Sequence, residues 1–590
     1  MISFLITFLL FGTILVEKNE KNFSNYIKYA TALSLSYGSL GLLGMMFTFL
    51  QVTFIPLYLI LSFFLLTLLF NDLFRKKIRY LIYGLGNEIN LLLIGNLHKP
   101  IYILYSFLLF LILILSIGPI NHSDTANTYV GFPFQFLMKN SHFINGDLNQ
   151  GLLGIGDFAN IFYFQEKTNW LIRSSQFLPL LFVFLLMIKK NTSNIFIFIF
   201  LSSPVLIQWL TVGKNNFLSE SCIAIAFLAW EENKKKKYLS YILCTVFIAL
   251  SFKISALITS IPIVLYLYFY YKCDLKQFKF NTIIKLISYP LIISIVCLSL
   301  IMSYRYYLFQ NPFFPLFSSI FNYGNQQFID WELTLKSWDR SRFFPLWIFI
   351  PQSIGKISFV LGPANLLGFL LSFSFFLKNS IHKNINILIG FSQVLLLMIF
   401  CQGRADYYIS PLIIIYSGSK LAHFNNFNLD FISNFFNKIF RRILLFIIIF
   451  QFGMFAISSL YSIFINLYVM SDYEKGMNKT AYNFFNSKKI ERIADKPVYN
   501  QTLGMTNLFF NSSFVADHKF NECFYYDETI IGDKYQFCVN KLGIKTIIVD
   551  KDKLKNNKSF QCKSNYLKRV SRNIFLEKKI EVDFCNYQNF

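Results

Sequence analysis

The sequence predicts an all-α polytopic membrane protein of about fourteen transmembrane helices, followed by a small C-terminal α/β or α+β domain outside the membrane. Three observations predict it. Hydrophobic residues make up 55% of the chain, aromatics 19% and charged residues only 15%, at a mean hydropathy of +0.48, which is more apolar and less charged than soluble domains. Apolar runs recur from residue 1 to about residue 468, several of them shorter than 20 residues. The net charge of +24 lies mostly in short segments between those runs, where basic residues mark cytoplasmic loops.

The first run, Met1–Val16, has no basic leader and no small-residue cleavage site, and Lys18 and Lys21 follow it. It reads as a retained helix with its N-terminus outside rather than as a signal peptide. Further helices are expected at 28–50, 54–71, 100–118, 176–188, 194–211, 217–230, 238–252, 254–271, 284–304, 343–377, 386–402, 407–418 and 443–468. Pro351 and Lys356 interrupt the 343–377 run, which suggests a half-helix or re-entrant piece. Alternating from an outside N-terminus places every basic cluster inside: Arg75, Lys76, Lys77 and Arg79; Lys189 and Lys190; Lys234–Lys237; Lys272, Lys276 and Lys279; Lys378 and Lys383; Lys438, Arg441 and Arg442. The long loops 119–175 and 305–342 and the tail from 469 then fall outside. This distribution explains the positive charge by topology and argues against a nucleic-acid partner.

Three domains follow: an N-terminal group of additional helices (1–99), a membrane core with two outside loops (100–468), and an extracytoplasmic soluble domain (469–590). The last is polar and mixed, with a strand-like run Lys545-Thr546-Ile547-Ile548-Val549-Asp550 after Gly543. Its Cys523, Cys538, Cys562 and Cys585 suggest two disulfides in an oxidising compartment, with the pairing open among three arrangements. Zinc is disfavoured, because there is no CxxC spacing and His518 is the tail's only histidine. Cys222, Cys244, Cys273, Cys297 and Cys401 lie in or near helices and read as packing residues.

The candidate chemistry lies in the outside loops. Asp124, in Asn121-His122-Ser123-Asp124-Thr125, sits just past the mouth of the 100–118 helix, where backbone position is best fixed. The same loop carries His122, Tyr129, His142, Arg173 and the further acids Asp147, Asp157 and Glu166, together with Phe132–Met138, an apolar stretch suited to the interface plane. The second loop contains Asn311-Pro312-Phe313-Phe314-Pro315, then Asp330, Glu332, Arg340 and Arg342. Arg305, Arg340 and Arg342 are candidate phosphate ligands through their paired N–H donors. Three more cations sit at outside helix ends against the positive-inside trend: Lys214, Lys253 and Arg404, the last in Gly403-Arg404-Ala405-Asp406.

This pattern resembles the GT-C class of membrane glycosyltransferases, in layout the protein-mannosyltransferase and aminoarabinose-transferase branches, and it is similar to bacterial envelope proteins of that class. The resemblance rests on the acid early in the first long outside loop, the interfacial segment after it, the many helices, the exported tail, His122-Ser123-Asp124 and Asn311-Pro312-Phe313-Phe314-Pro315. It spans roughly residues 100–420. It implies a polyprenyl-phosphate sugar donor, a glycan, lipid or protein acceptor, and residence in the bacterial cytoplasmic membrane, where the topology above puts both termini outside. It also implies Asp124 as general base, assisted by His122, with Lys214, Lys253, Arg305, Arg340 and Arg404 around the lipid phosphate. Many members carry paired acids, Asp-Glu or Asp-x-Asp, that admit a divalent metal ion. Here Asp124 is followed by Thr125 and Ala126, and no metal ligands are assigned. Two other readings remain: a lipid-linked glycan polymerase or ligase, which would depend on Arg or His alone, and a lipid or solute transporter, which would show inverted repeats and mid-helix charges.

Overall fold

The computed structural model describes residues 1–16, 23–52, 57–118, 128–139, 148–166, 168–275, 288–337, 344–378, 385–401, 404–419, 434–473, 493–495, 497–500, 514–515, 523, 534–550, 560–570 and 577–587. Up to residue 473 the described chain is helical. In order the helices are α1 (Ile2–Leu15), α2 (Phe23–Phe49), α3 (Leu57–Leu69), α4 (Asp72–Leu92), α5 (Pro100–Ser116), α6 (Gly131–Lys139), α7 (Ile155–Phe158), α8 (Asn160–Gln165), α9 (Phe177–Lys189), α10 (Asn194–Leu201), α11 (Pro204–Thr211), α12 (Asn216–Asn233), α13 (Leu239–Phe252), α14 (Ala256–Leu275), α15 (Tyr289–Phe309), α16 (Ser318–Phe321), α17 (Gln326–Ser337), α18 (Pro363–Lys378), α19 (Ile385–Phe400), α20 (Ile409–Gly418) and α21 (Asn434–Tyr473).

Among the described residues, four spans are long and apolar enough to cross a membrane: Phe23–Phe49, Tyr289–Phe309, Ile357–Ser374 and Arg442–Phe464. The number rises to six if the bent pairs α3–α4 and α10–α11 each count as one span. Several shorter apolar helices, among them α1, α5, α19 and α20, accompany them. This composition is compatible with an integral membrane protein.

Two differences from the expected helices have plain causes. Pro204 opens α11 and bends the 194–211 run by 53°, because proline removes a helical hydrogen bond. Arg75–Arg79, expected in a loop, lies inside the amphipathic helix α4, which turns 108° from α3. Asn71 starts α4 by accepting from the N–H groups of Leu73 and Phe74, a side-chain N-cap. Its buried Ile78 and Leu81 face the bundle.

The helix ends gather at two faces. At one, Lys189 pairs with Glu88 at 2.5 Å, Lys190 pairs with Glu232, the Ser193 N–H donates to Ser419 O, and Ser372 meets Ser419 at 3.0 Å. At the other, Arg173 is fully buried and donates to Leu115 O, Thr211 O and Asn466 Oδ1, which fastens the ends of α5, α11 and α21 together. Glu166 accepts from the N–H groups of Ile2 and Ser3 at 2.8 and 2.9 Å and so satisfies the first turn of α1. The stretch expected at the interface, Phe132–Met138, is helical as α6, but Phe132 and Phe136 are buried against the bundle and Gln51 at the end of α2 donates to Phe136 O.

The tail contains a five-stranded mixed sheet in the order β2-β1-β3-β5-β4, built from β1 (Val498–Asn500), β2 (Phe514–Val515), β3 (Thr546–Asp550), β4 (Phe560–Val570) and β5 (Glu577–Tyr587). Strand β1 runs parallel to β2 and β3, whereas β5 is antiparallel to β3 and β4. Helix α22 (Lys534–Lys541) precedes β3, and Gly543 at φ +62° takes the left-handed turn between them. Alternation along β3 sends Ile547 and Val549 to one apolar cluster and Ile548 to the other. Two disulfides form, Cys523–Cys538 and Cys562–Cys585. The second joins residues directly opposite each other on β4 and β5.

Candidate functional site

Three connections between helices meet at the face that holds Arg173 and Glu166. Between α11 and α12, Gly213 at φ +76° lets the chain reverse and present Lys214. Between α13 and α14, Lys253 caps α13 in an extended conformation. Between α19 and α20, the turn 405–407 places Arg404 against Asp406 at 3.1 Å. All four side chains line one cavity of about 120 Å³.

The rest of the wall comes from both long loops. Tyr129 of the first loop is held between cations: the Lys214 and Lys253 ammonium groups lie 5.2 and 5.6 Å from its ring centre. Tyr407 approaches Lys253 from another side at 5.7 Å. The second loop contributes Pro315, Leu316, Glu332 and Leu335. Asn311 accepts from Phe313 N–H and donates to Leu316 O, folding Asn311–Pro315 into a tight turn, while Phe314 stacks on Phe309 at 4.0 Å. The buried Glu332 on α17 accepts from the N–H groups of Phe317 and Ser318 at 3.2 and 2.7 Å, which fixes that turn to α17. Ile254, Ile258 and Phe400 close the cavity with apolar surface.

The charged lining therefore comprises three cations, Lys214, Lys253 and Arg404, and two carboxylates, Asp406 and Glu332. Burial, joined by the charges of Lys214 and Arg404, lowers the Lys253 ammonium pKa to about 8, while Asp406 and Asp157 pull the other way. A crowded cationic wall of this kind favours an anion that takes up the excess charge.

The sequence candidates divide by placement. Lys214, Lys253 and Arg404 are brought together. Arg305 is fully buried and donates to Gly151 O and Leu153 O at 3.2 and 2.8 Å; it holds the 148–154 loop and is absent from the cavity wall. Asp157 is 2% exposed and accepts from Gly154 N–H and from Asn215 Nδ2 at 2.8 and 3.1 Å. Burial raises its pKa to about 7 even against those bonds and the nearby Lys253 and Arg305. Its helix α7 fits because Gly41 and Gly44 of α2 leave room: an added Cβ would lie 2.1 Å from Ile155 O and 2.2 Å from Phe158 O. Glu166 serves the start of α1, as described above. Asp124, His122, His142, Asp147, Arg340 and Arg342 lie outside the described residues.

Asp406 and Tyr407 were not among the sequence candidates. The available signal was the adjacency of Asp406 to Arg404 at the start of the 407–418 helix expected from sequence. Glu332 was visible only as one acid among several. No protein-family model, curated protein or solved structure matches the chain.

Proposed function

We propose that the chain is a GT-C-type membrane glycosyltransferase, with about fourteen crossings in the bacterial cytoplasmic membrane and both long loops and the tail on the outer side. It moves a sugar from a polyprenyl-phosphate donor to an envelope glycan, lipid or protein acceptor. The observation that carries this reading is the convergence of Lys214, Lys253 and Arg404, from three separate helix connections, on one cavity. Three cations against two carboxylates leave one positive charge, which balances the single negative charge of a lipid phosphodiester.

In this reading the phosphate sits among the three cations. As the bond from the anomeric carbon to the phosphate oxygen breaks, the lipid phosphate leaves with a second negative charge, and the fixed ammonium and guanidinium groups stabilise it without needing a proton donor. The acceptor hydroxyl attacks the anomeric carbon and gives its proton to Asp124, with His122 assisting. Asp124 is five residues before Tyr129 in the sequence. Among the described residues no three His, Cys, Asp or Glu side chains are grouped to hold a metal ion. Glu332 is engaged by backbone N–H groups and Asp406 Oδ2 by Arg404, and no step is routed through a metal.

The test is sugar transfer from undecaprenyl-phosphate sugars to membrane acceptors by the purified full chain. Asp124→Asn should lower turnover about 10²–10⁴-fold, the usual range for loss of a positioned general base, at unchanged protein level. Full activity in that variant, with loss on replacing arginine alone, would point to a polymerase or ligase instead.

A further inference from the structure

We infer that Asp406 is a specificity-determining residue whose free oxygen accepts a hydrogen bond from a hydroxyl of the sugar carried on the lipid phosphate; this rests on the reading of the cavity as a phosphate site. Asp406 is 7% exposed and lines the cavity. Its two oxygens are used unequally. Oδ2 pairs with Arg404 at 3.1 Å. Oδ1 is buried and accepts no hydrogen bond among the described residues.

A buried carboxylate oxygen without a donor is costly, and native structures rarely leave one so. The cavity already supplies a fixed cation to this carboxylate, and Lys253 lies close enough to interact with it. A further cation is therefore not what the oxygen lacks. A neutral hydroxyl satisfies it without adding charge. The same wall carries Lys214, Lys253 and Arg404, so the matching ligand presents an anion and a hydroxyl side by side. A sugar esterified to a phosphate has that chemistry, whereas a bare lipid phosphate offers only the anion and meets repulsion from Asp406. The carboxylate thus favours the loaded donor over the spent carrier, and after transfer it weakens the hold on the released lipid phosphate.

The test uses native mass spectrometry of the full chain in detergent. The probes are undecaprenyl phosphate and a panel of undecaprenyl-phosphate sugars: hexose, pentose, N-acetylhexosamine and aminopentose. The wild type should retain at least one loaded form about tenfold or more tightly than the bare phosphate, the range for a hydrogen bond to a charged acceptor. Asp406→Ala should lose that preference and hold the bare phosphate as well as or better than the wild type. Asp406→Asn, which keeps a neutral acceptor oxygen, should retain part of the preference. A wild type with no preference across the panel overturns the assignment, as does an Asp406→Ala protein that keeps the preference or loses both kinds of probe equally. In the first of those cases, retained bare phosphate leaves the cation cavity standing. If the wild type retains neither probe, the cavity reading itself falls and the Asp406 assignment with it.

Discussion

Lys253 should make phosphate binding depend on pH in a window where most lysines are silent. Its free-protein pKa is lowered to about 8 by burial and by Lys214. A base with that pKa is about 0.9 protonated at pH 7 and about 0.1 protonated at pH 9. If the bound phosphate requires the ammonium form, the apparent Kd for undecaprenyl phosphate rises about tenfold between those two values, because affinity scales with the competent fraction. The probe's own second ionisation is near pH 6 and does not cause this change. Folding has the opposite sign. Between about 8 and the ordinary value of 10.5 the unfolded chain binds a proton that the native state does not, so stability without ligand rises with pH across that window. The assay is lipid-phosphate binding to the purified full chain from pH 6.5 to 9.5, beside a thermal melt at each pH. Lys253→Arg, which stays charged throughout, should flatten the binding profile. A wild-type profile that is flat between pH 7 and 9, or an identical fall in Lys253→Arg, would refute the reasoning.

Two other outcomes follow from the fold. A cysteine placed at the exposed Asn325 should react with an impermeant maleimide in intact cells, and one at the exposed Lys235 only after permeabilisation; reaction at 235 in intact cells would reverse the proposed sidedness. Arg305→Met should lower thermal stability, by about 3–6 kcal/mol for two lost charge-assisted hydrogen bonds to buried carbonyls, while leaving lipid-phosphate affinity of the folded protein within a few-fold; loss of affinity at unchanged stability would instead make Arg305 a ligand residue.

What the sequence disclosed tracks how local each signal is. Most apolar runs lie at the expected positions because burial in lipid or in a bundle leaves a continuous local signature. The exceptions are instructive. In α4 the basic cluster masked a helical period, although Phe74, Ile78, Leu81, Leu85, Ile89 and Leu92 recur at three- and four-residue spacing and would have revealed it. The tail's cysteines foretold two disulfides but not their partners, since pairing is set by the strand register that places Cys562 opposite Cys585. At the cavity, Lys214, Lys253 and Arg404 were legible because the expected topology puts them at outer helix ends, where a cation runs against the positive-inside trend. Arg305 looked the same in sequence and serves backbone carbonyls instead, a role that depends on where the 148–154 loop folds back. Asp406 was passed over because its meaning comes from neighbours more than 150 residues away in the chain, Lys214 and Lys253.

Whether the cavity of Lys214, Lys253 and Arg404 holds a lipid-linked phosphate is decided by comparing undecaprenyl phosphate with uncharged undecaprenol on the purified full chain and on Lys214→Met and Lys253→Met variants. The wild type should bind the phosphate far more tightly than the alcohol, and each substitution should weaken phosphate binding about tenfold or more, the range for losing a charge-assisted contact, with undecaprenol binding unchanged. Equal binding of the two lipids by the wild type, or phosphate binding untouched by both substitutions in folded protein, would contradict it.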